Sequence, residues 1–262
     1  SSAHRLTALY HFGNFRLSSY STGWSKIPEN YEDFVTQTQT PLHEEVNATA
    51  QEKAILMPDG SKVTLSVSSK ISYRIPFIQN AKREIFLSGN AFFEIQKDSL
   101  NPLFVYANGL LTRVVGTSFT ITTAKNEVRV LVKSGKVAIR SIKNTEGSKI
   151  PKEELLTRNQ VALFSKTNQE ITKTIVKNPI AVPQFLPKTT LSFENKPVVD
   201  ILDHLEKAYG VPLVYDKKLI SNCSLRVEFT NESFYSMLDI ITETIGASYT
   251  LSSMNAGRVV VQ

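Results

Sequence analysis

The sequence has a single cysteine, Cys223, which excludes an intramolecular disulfide and a zinc site built from several cysteines. It also lacks any run close to the roughly 20 consecutive apolar residues that a transmembrane helix needs. Hydrophobic residues make up 41% and charged residues 21% of the chain, so the composition favours a folded globular protein over a disordered or coiled-coil one. The net charge of +6 comes from basic residues spread over the whole length, which indicates a solvated surface and no direct nucleic-acid partner.

The signatures of common enzymes are missing as well. The four histidines have no metal-ligand spacing, and no Walker lysine loop, GxGxxG or GxSxG motif occurs. Adjacent acids such as Glu44 and Glu45, or Glu153 and Glu154, would point to opposite faces of a strand, which makes them poor acid/base partners. We therefore expect no cofactor, no metal and no multiple-turnover enzyme. A glycosidase whose carboxylates come from distant strands is not revealed by one sequence and stays open as an alternative.

With 262 residues the chain is long enough for two domains. Residues 1–46 are predicted to be an aromatic-rich N-terminal extension, which contains the single tryptophan, Trp24. Large apolar side chains are costly to leave in water, so we expect part of this segment to lie against the domain that follows.

Residues 47–176 have the pattern of an all-β domain, because short runs rich in Val, Ile, Thr and aromatic residues alternate with Gly, Asn and Asp turns. Residues 58–61 read Pro-Asp-Gly-Ser, and Asn108 with Gly109 tolerates the positive φ angles of a type I′ turn, so we predict a hairpin at each place. Many short strands with tight turns predict an antiparallel β-sandwich or a β-helix-like domain, and the pattern does not choose between them.

Residues 177–189 contain three prolines and are predicted to be a linker. The following residues, 190–262, contain an internal repeat, in which Gly210 and Gly246 mark the same point 36 positions apart. In each copy the apolar residues recur at i, i+3, i+4, i+7 and i+11, the stripe of an amphipathic helix that ends at the glycine. We predict a small α+β domain of two β-α-β repeats, with both helices on one face of a small sheet.

Each of these helices is preceded by a polar residue that suits an N-cap. We expect Asn195 to cap the first helix, and Asn231 or Ser233 to cap the second.

Gly116 and Thr117 form a dipeptide with chemistry of its own. A threonine hydroxyl directly after a glycine can attack the preceding carbonyl carbon, because no Cβ shields that carbon and glycine tolerates a strained backbone. The resulting N-to-O acyl shift gives an ester that water then cleaves. A bulge or bend at the glycine is the alternative interpretation. We therefore regard Gly116 and Thr117 as candidate residues for a single-turnover self-cleavage.

Three ordered segments resemble the FecR family of anti-sigma regulators, which act in Gram-negative cell-surface signalling. They are residues 55–65 around Pro-Asp-Gly-Ser, residues 87–95 (Leu-Ser-Gly-Asn-Ala-Phe-Phe-Glu-Ile) and residues 114–121 (Val-Val-Gly-Thr-Ser-Phe-Thr-Ile). The resemblance extends from about residue 46 to residue 164. Residues 190–262 are similar to the C-terminal domain of Bacteroidetes members, which is itself similar to the secretin and TonB N-terminus short domain.

The sequence departs from the usual family pattern at two places. Asn90 stands where the family usually has an acidic residue, and Arg158-Asn159-Gln160 replaces a common Pro-Gly-Glu turn.

The resemblance implies the periplasmic part of a single-pass regulator anchored in the inner membrane. In the family, a cytoplasmic N-terminal segment holds an extracytoplasmic-function sigma factor, and the C-terminal region reads the N-terminal signalling domain of a TonB-dependent transporter. Here the sigma-binding segment and the membrane helix would lie upstream of Ser1. Some members cleave themselves at a bond that matches Gly116 and Thr117.

We expect the transporter contact to use an exposed sheet edge in residues 190–262, which can pair main chain to main chain with a partner strand. The alternative function, from a different class, is a carbohydrate-binding or glycan-hydrolysing β-domain, whose many aromatic residues would stack on sugars.

Overall fold

The computed structural model describes residues 42–79, 82–143, 153–185, 190–252 and 258–262. Residues 1–41, the main part of the predicted N-terminal extension, lie outside the described residues, so the expectation about that segment stays a prediction.

Fourteen of the described strands form two seven-stranded sheets. The strands of the first sheet, in spatial order, are β1 (Leu42–Val46), β4 (Lys70–Gln79), β5 (Lys82–Ser88), β7 (Leu103–Ala107), β8 (Leu110–Val114), β11 (Lys136–Ser141) and β12 (Glu154–Thr157). The strands of the second sheet, in spatial order, are β14 (Glu170–Ile175), β13 (Gln160–Ser165), β10 (Glu127–Ser134), β9 (Ser118–Thr123), β6 (Ala91–Glu94), β3 (Lys62–Leu65) and β2 (Lys53–Leu56). Neighbouring strands are antiparallel except for β5 and β7, which are parallel.

The two sheets pack face to face around one core. Alternate residues point inward on β10, where Val128, Val130 and Val132 are buried, and residues of both sheets belong to one buried cluster. Phe93 and Phe119 stack within it at a centroid distance of 4.9 Å. The domain is therefore a β-sandwich, which decides between the two architectures that the sequence left open.

Both predicted hairpins are confirmed. Residues 58–61 join β2 to β3, and Asn108 and Gly109 join β7 to β8 with φ angles of 44° and 88°.

The C-terminal region contains two helix repeats and two small sheets. Its elements are β15 (Leu191–Pro197), α1 (Val198–Tyr209), β16 (Leu213–Val214), the short helix α2 (Lys217–Ile220), β17 (Ser224–Phe229), α3 (Phe234–Ile245), β18 (Tyr249–Ser252) and β19 (Arg258–Val261). The predicted fold class, mainly β followed by a small α+β region, is confirmed.

The expectation of one small sheet in this region is wrong. The first strands of the two repeats, β15 and β17, pair with each other, whereas the second strands, β16 and β18, are joined through β19. The apolar residues of α1 and α3 share one buried cluster with Phe193 and Phe229 of the first small sheet and with Leu213 and Val259 of the second. The helix α1 contacts one strand of each sheet, β15 and β16, so its apolar stripe is wide enough to pack against both.

The structure confirms most of the predicted helix ends. Gly210 and Gly246 end α1 and α3 in the left-handed conformation, and the Ser233 Oγ accepts a hydrogen bond from the Ser236 amide at the start of α3. The Asn195 cap is wrong, because Asn195 lies in a bulge of β15 at a φ of 51° and α1 begins only after Pro197. The Pro197 ring lacks an N–H and presets φ, which suits this start.

Candidate functional site

Gly116 and Thr117 lie in the crossing from β8 of the first sheet to β9 of the second. The residues around them are held by the segment that follows β6. The Asp98 amide donates to the Val115 oxygen at 2.7 Å, and the Ile95 amide donates to the Thr117 oxygen at 2.9 Å. Main-chain hydrogen bonds at both ends of the dipeptide therefore attach it to this segment.

Close packing leaves no room for a side chain at Gly116. A Cβ added there would lie 2.7 Å from the Lys97 Cα. On the other side, a Cβ added to Gly135 would lie 2.6 Å from the Thr117 Cγ2 and 3.0 Å from the Gly116 carbonyl oxygen. Real Cβ atoms do not approach so closely, so the backbones at residues 97 and 135 clasp the dipeptide between them.

The Thr117 hydroxyl is buried and has no hydrogen-bond partner in the described part of the chain. A buried polar group without a partner is unfavourable by about 1–3 kcal/mol, and such groups in native proteins call for an explanation. A nucleophilic role towards the adjacent carbonyl would explain it. No described side chain is hydrogen-bonded to the Thr117 hydroxyl, so none is placed to accept its proton. An acyl shift here would therefore depend on how the Thr117 hydroxyl oxygen is positioned relative to the Gly116 carbonyl carbon.

The first family segment forms an ion-pair clamp that sequence reasoning missed. The Asp59 carboxylate accepts hydrogen bonds from the Ser61 amide, the Ser61 hydroxyl and the Arg83 guanidinium. Arg83 is only 1% exposed and also donates from Nε to the Asn101 oxygen at 2.8 Å. The clamp ties the β2–β3 turn of the second sheet to the start of β5 in the first, so this segment has a structural role. The alternation of β5 was the available signal, because Arg83 is two residues before the core residue Ile85 and therefore lies on the same face of the strand.

Asn90, the departure from the family pattern in the second segment, also has a structural role, because it forms hydrogen bonds with neighbouring strands and turns. Its side-chain oxygen accepts a hydrogen bond from the Thr123 amide at 2.8 Å, and its own amide donates to the Ser69 hydroxyl. An amide oxygen can replace a carboxylate oxygen as an acceptor for an N–H group.

The border of β17 is the best candidate for a protein contact in the C-terminal region. Among the described residues β17 pairs only with β15, so its other edge has no strand partner. β15 is interrupted by a bulge and ends in Pro197, and β16 has only two residues, whereas β17 has six residues without proline. Arg226 and Glu228 are exposed on its outer face, and Arg226 forms a solvent-exposed ion pair with Glu194 at 2.9 Å.

Several described titratable groups are buried, and burial shifts their pKa values. No group of three or more His, Cys, Asp or Glu residues that could hold a metal ion occurs in the described ranges. Burial raises the pKa of Glu206, whose carboxylate accepts a hydrogen bond from the Leu213 amide, and burial next to Glu84 raises the pKa of Tyr106. The helices that the structure describes are too short or too polar to cross a membrane.

Comparison with protein families gives a match on each side of the residues predicted to be a linker. The model of the FecR protein family matches residues 44–138, and the model of the FecR C-terminal region matches residues 190–261. The chain belongs to the FecR family. This is the family that its motifs predicted. The likeness to the secretin and TonB N-terminus short domain stays a prediction.

The FecR-family chain is also similar to two crystal structures of a protein from Parabacteroides distasonis ATCC 8503 that is described as a candidate anti-sigma factor. Both are 23% identical to it, and the likeness covers 84% of this chain and 98% of the other. The TM-scores are 0.46 for the structure at 2.50 Å resolution and 0.45 for the one at 1.65 Å. No curated protein matches the FecR-family chain.

Proposed function

We propose that this chain is the periplasmic part of a membrane-anchored anti-sigma regulator that passes a signal from an outer-membrane TonB-dependent transporter to an extracytoplasmic-function sigma factor. The chain acts by protein–protein contact, without substrate turnover. The match of FecR models to both the sandwich and the C-terminal region supports this assignment. The sigma factor binds a segment upstream of these residues, and the described part of the chain reads the transporter.

The observation that carries the proposal is the border of β17. A strand edge without a partner offers main-chain N–H and C=O groups in a regular row, and an extended segment of another protein can add to it as a further strand. The exposed Arg226 and Glu228 then face the side chains of the added strand and contribute to specificity through cross-strand pairs.

Titration calorimetry of the whole chain with the N-terminal signalling domain of its TonB-dependent transporter tests this proposal. Reversing both charges with Arg226→Glu and Glu228→Lys is expected to weaken binding by roughly two- to thirtyfold, the range that two cross-strand charge pairs of about 0.2–1 kcal/mol each give. Arg129→Glu, an equally exposed reversal on β10 of the sandwich, is the matched control and leaves the affinity unchanged. Absence of binding at high micromolar concentration contradicts the proposal, as does an equal effect of the control.

A self-cleavage at Gly116 and Thr117 is proposed as an accessory step. The Thr117 oxygen attacks the Gly116 carbonyl carbon, a C–O bond forms, the peptide C–N bond breaks and the proton of the hydroxyl ends on the Thr117 nitrogen. Water then hydrolyses the ester and leaves a carboxylate on Gly116 and a free amino group on Thr117. The buried hydroxyl without a partner and the clasped glycine support this step.

Intact mass spectrometry of the purified chain tests the cleavage. Two fragments that divide after Gly116 are expected, with a summed mass one water larger than the chain. Thr117→Val removes the nucleophile with little change of shape and gives a single intact mass, whereas Thr117→Ser keeps a hydroxyl and still cleaves. An intact wild-type chain, or cleavage that persists in Thr117→Val, contradicts this step.

The carbohydrate alternative has no support from the described aromatic residues. It was based on the many aromatic residues, which would stack on sugars, but most of the described rings are buried in the cores. The buried rings are Tyr73, Phe77, Phe86, Phe93, Tyr106, Phe119, Phe164, Phe193, Tyr209, Phe229 and Phe234.

A further inference from the structure

Asn159 is a buried polar residue at the tip of a hairpin, where polar residues are usually exposed. It lies in the turn between β12 and β13, is 6% exposed and has a φ of 62°. Asn159 is buried because it contacts the C-terminal region. There it binds Tyr209, which is 50 residues away in sequence.

The side chain and the main chain of Asn159 together join three parts of the chain. Its Nδ2 donates to the Ile180 oxygen at 2.9 Å and to the Tyr209 oxygen at 2.7 Å, and its Oδ1 accepts from the Ile180 amide at 3.0 Å. Its main-chain amide donates to the Val132 oxygen at 3.0 Å, and its main-chain oxygen accepts from the Val176 amide at 2.9 Å. One residue therefore connects β10 of the sandwich, the segment after β14 and the end of α1.

The same turn caps the C-terminal end of α1 from outside the helix. The last carbonyl groups of a helix have no partner within it and must find one elsewhere. The Tyr209 oxygen is bonded by Asn159, and the Gly210 oxygen accepts from the Thr157 hydroxyl at 3.2 Å. The Ala208 oxygen accepts from the Val182 amide at 2.8 Å.

β10 in turn leads to the candidate cleavage site. The Val132 oxygen, which Asn159 binds, is three residues before Gly135, and Gly135 packs against the Thr117 side chain and the Gly116 oxygen. The ladder between β9 and β10 shifts register between Val132 and Ser134, so this end of β10 is its irregular part.

We propose that Asn159 is an interdomain latch, which holds the C-terminal region in one orientation on the sandwich and couples its stability to the Gly135 end of β10. A role of this latch in signalling rests on the proposed function. A partner that binds α1 or β17 would then change the stability of β10 through Asn159. The coupling itself requires neither a partner nor cleavage, so it can be tested separately from that function.

A double-mutant cycle on the whole chain, read out by amide hydrogen exchange, tests the latch. Ile241→Ala opens a cavity in the C-terminal core, since Ile241 is completely buried there. With Asn159 present, this change is expected to raise the exchange rates of the amides of residues 132–135 by at least about fivefold, the lower end of ordinary coupling between sites. In the Asn159→Gly background, which keeps the positive φ and removes the side chain, the factor is expected to fall close to one.

Asn108→Gly is the matched control, because Asn108 also has a positive φ and its side chain donates to the Ala124 oxygen within the sandwich. In that background Ile241→Ala keeps its full effect on residues 132–135. Asn159→Asp, which retains the size and loses both Nδ2 donors, serves as a second variant and gives the same result as Asn159→Gly. An effect of Ile241→Ala that is equal in the Asn159→Gly and Asn108→Gly backgrounds, or missing from the wild type, overturns the proposal.

Discussion

Arg83 is the largest side chain that the sandwich buries completely. Its charge is compensated by the Asp59 carboxylate, which is itself nearly buried, so each group depends on the other. The pair thus fixes the start of β5 against the β2–β3 turn, at the price of two desolvated charges.

Replacing Arg83 with methionine tests this dependence. Arg83→Met leaves a buried, uncompensated Asp59, and the free energy of unfolding is expected to fall by about 3–5 kcal/mol in urea titrations. Adding Asp59→Asn to the same chain removes the second charge and is expected to restore part of the loss. If the single and the double variant are equally unstable, the ion pair does not hold this part of the sandwich.

Thr112 presents the opposite situation, a buried hydroxyl without a partner in the described part of the chain. Its register neighbours Val105 and Ile139 belong to the sandwich core. Thr112→Val replaces the hydroxyl with a methyl group of similar shape and is expected to raise the free energy of unfolding by about 1 kcal/mol. Thr120→Val, at a half-buried position on the outer face of β9, is the control and changes it by less. A destabilised Thr112→Val would show that the hydroxyl has a partner.

At the scale of elements, the two helix repeats provide a matched pair of glycines. Gly210 and Gly246 have φ angles of 65° and 70°, but a Cβ on Gly210 would lie 3.1 Å from the Arg158 Cβ, whereas one on Gly246 meets nothing within 4 Å. The two glycines therefore have the same backbone conformation but different surroundings.

Alanine at these two positions separates backbone strain from contact with the sandwich. Gly246→Ala is expected to cost about 1 kcal/mol for its left-handed conformation. Gly210→Ala is expected to cost about 1 kcal/mol more, because the β12–β13 turn must also move. Thermal unfolding of both variants checks the difference, and equal costs would mean that α1 is not held against the turn.

The helices were the elements most open to prediction, because their signals are local. The apolar spacing, the closing glycines and the Ser233 cap all lie within a few residues of what they determine. Asn195 failed as a cap because the ladder with β17 places it in a bulge, and that ladder depends on residues about 30 positions away. The same limit concealed the division of the C-terminal strands between two sheets.

At the scale of the whole molecule, the order in which the strands pair could not be predicted from the sequence. The pairing of β5 with β7 in parallel, and of β1 with β4, joins segments that only the assembled core brings together. The candidate site was open to prediction in part. Gly116 and Thr117 could be identified from their chemistry, but their clasp by residues 97 and 135, and the contact of Asn159 with Tyr209, arise from tertiary packing.

Amide hydrogen exchange of the whole chain, with and without the signalling domain of its transporter, tests the central claim most directly. At saturating partner, the β17 amides that point away from β15 are expected to exchange at least about tenfold more slowly, as a new strand pairs with that edge. The edges of β2 and β14 in the sandwich serve as internal controls and keep their exchange rates. Binding that protects the sandwich edges and leaves β17 unchanged would contradict the account.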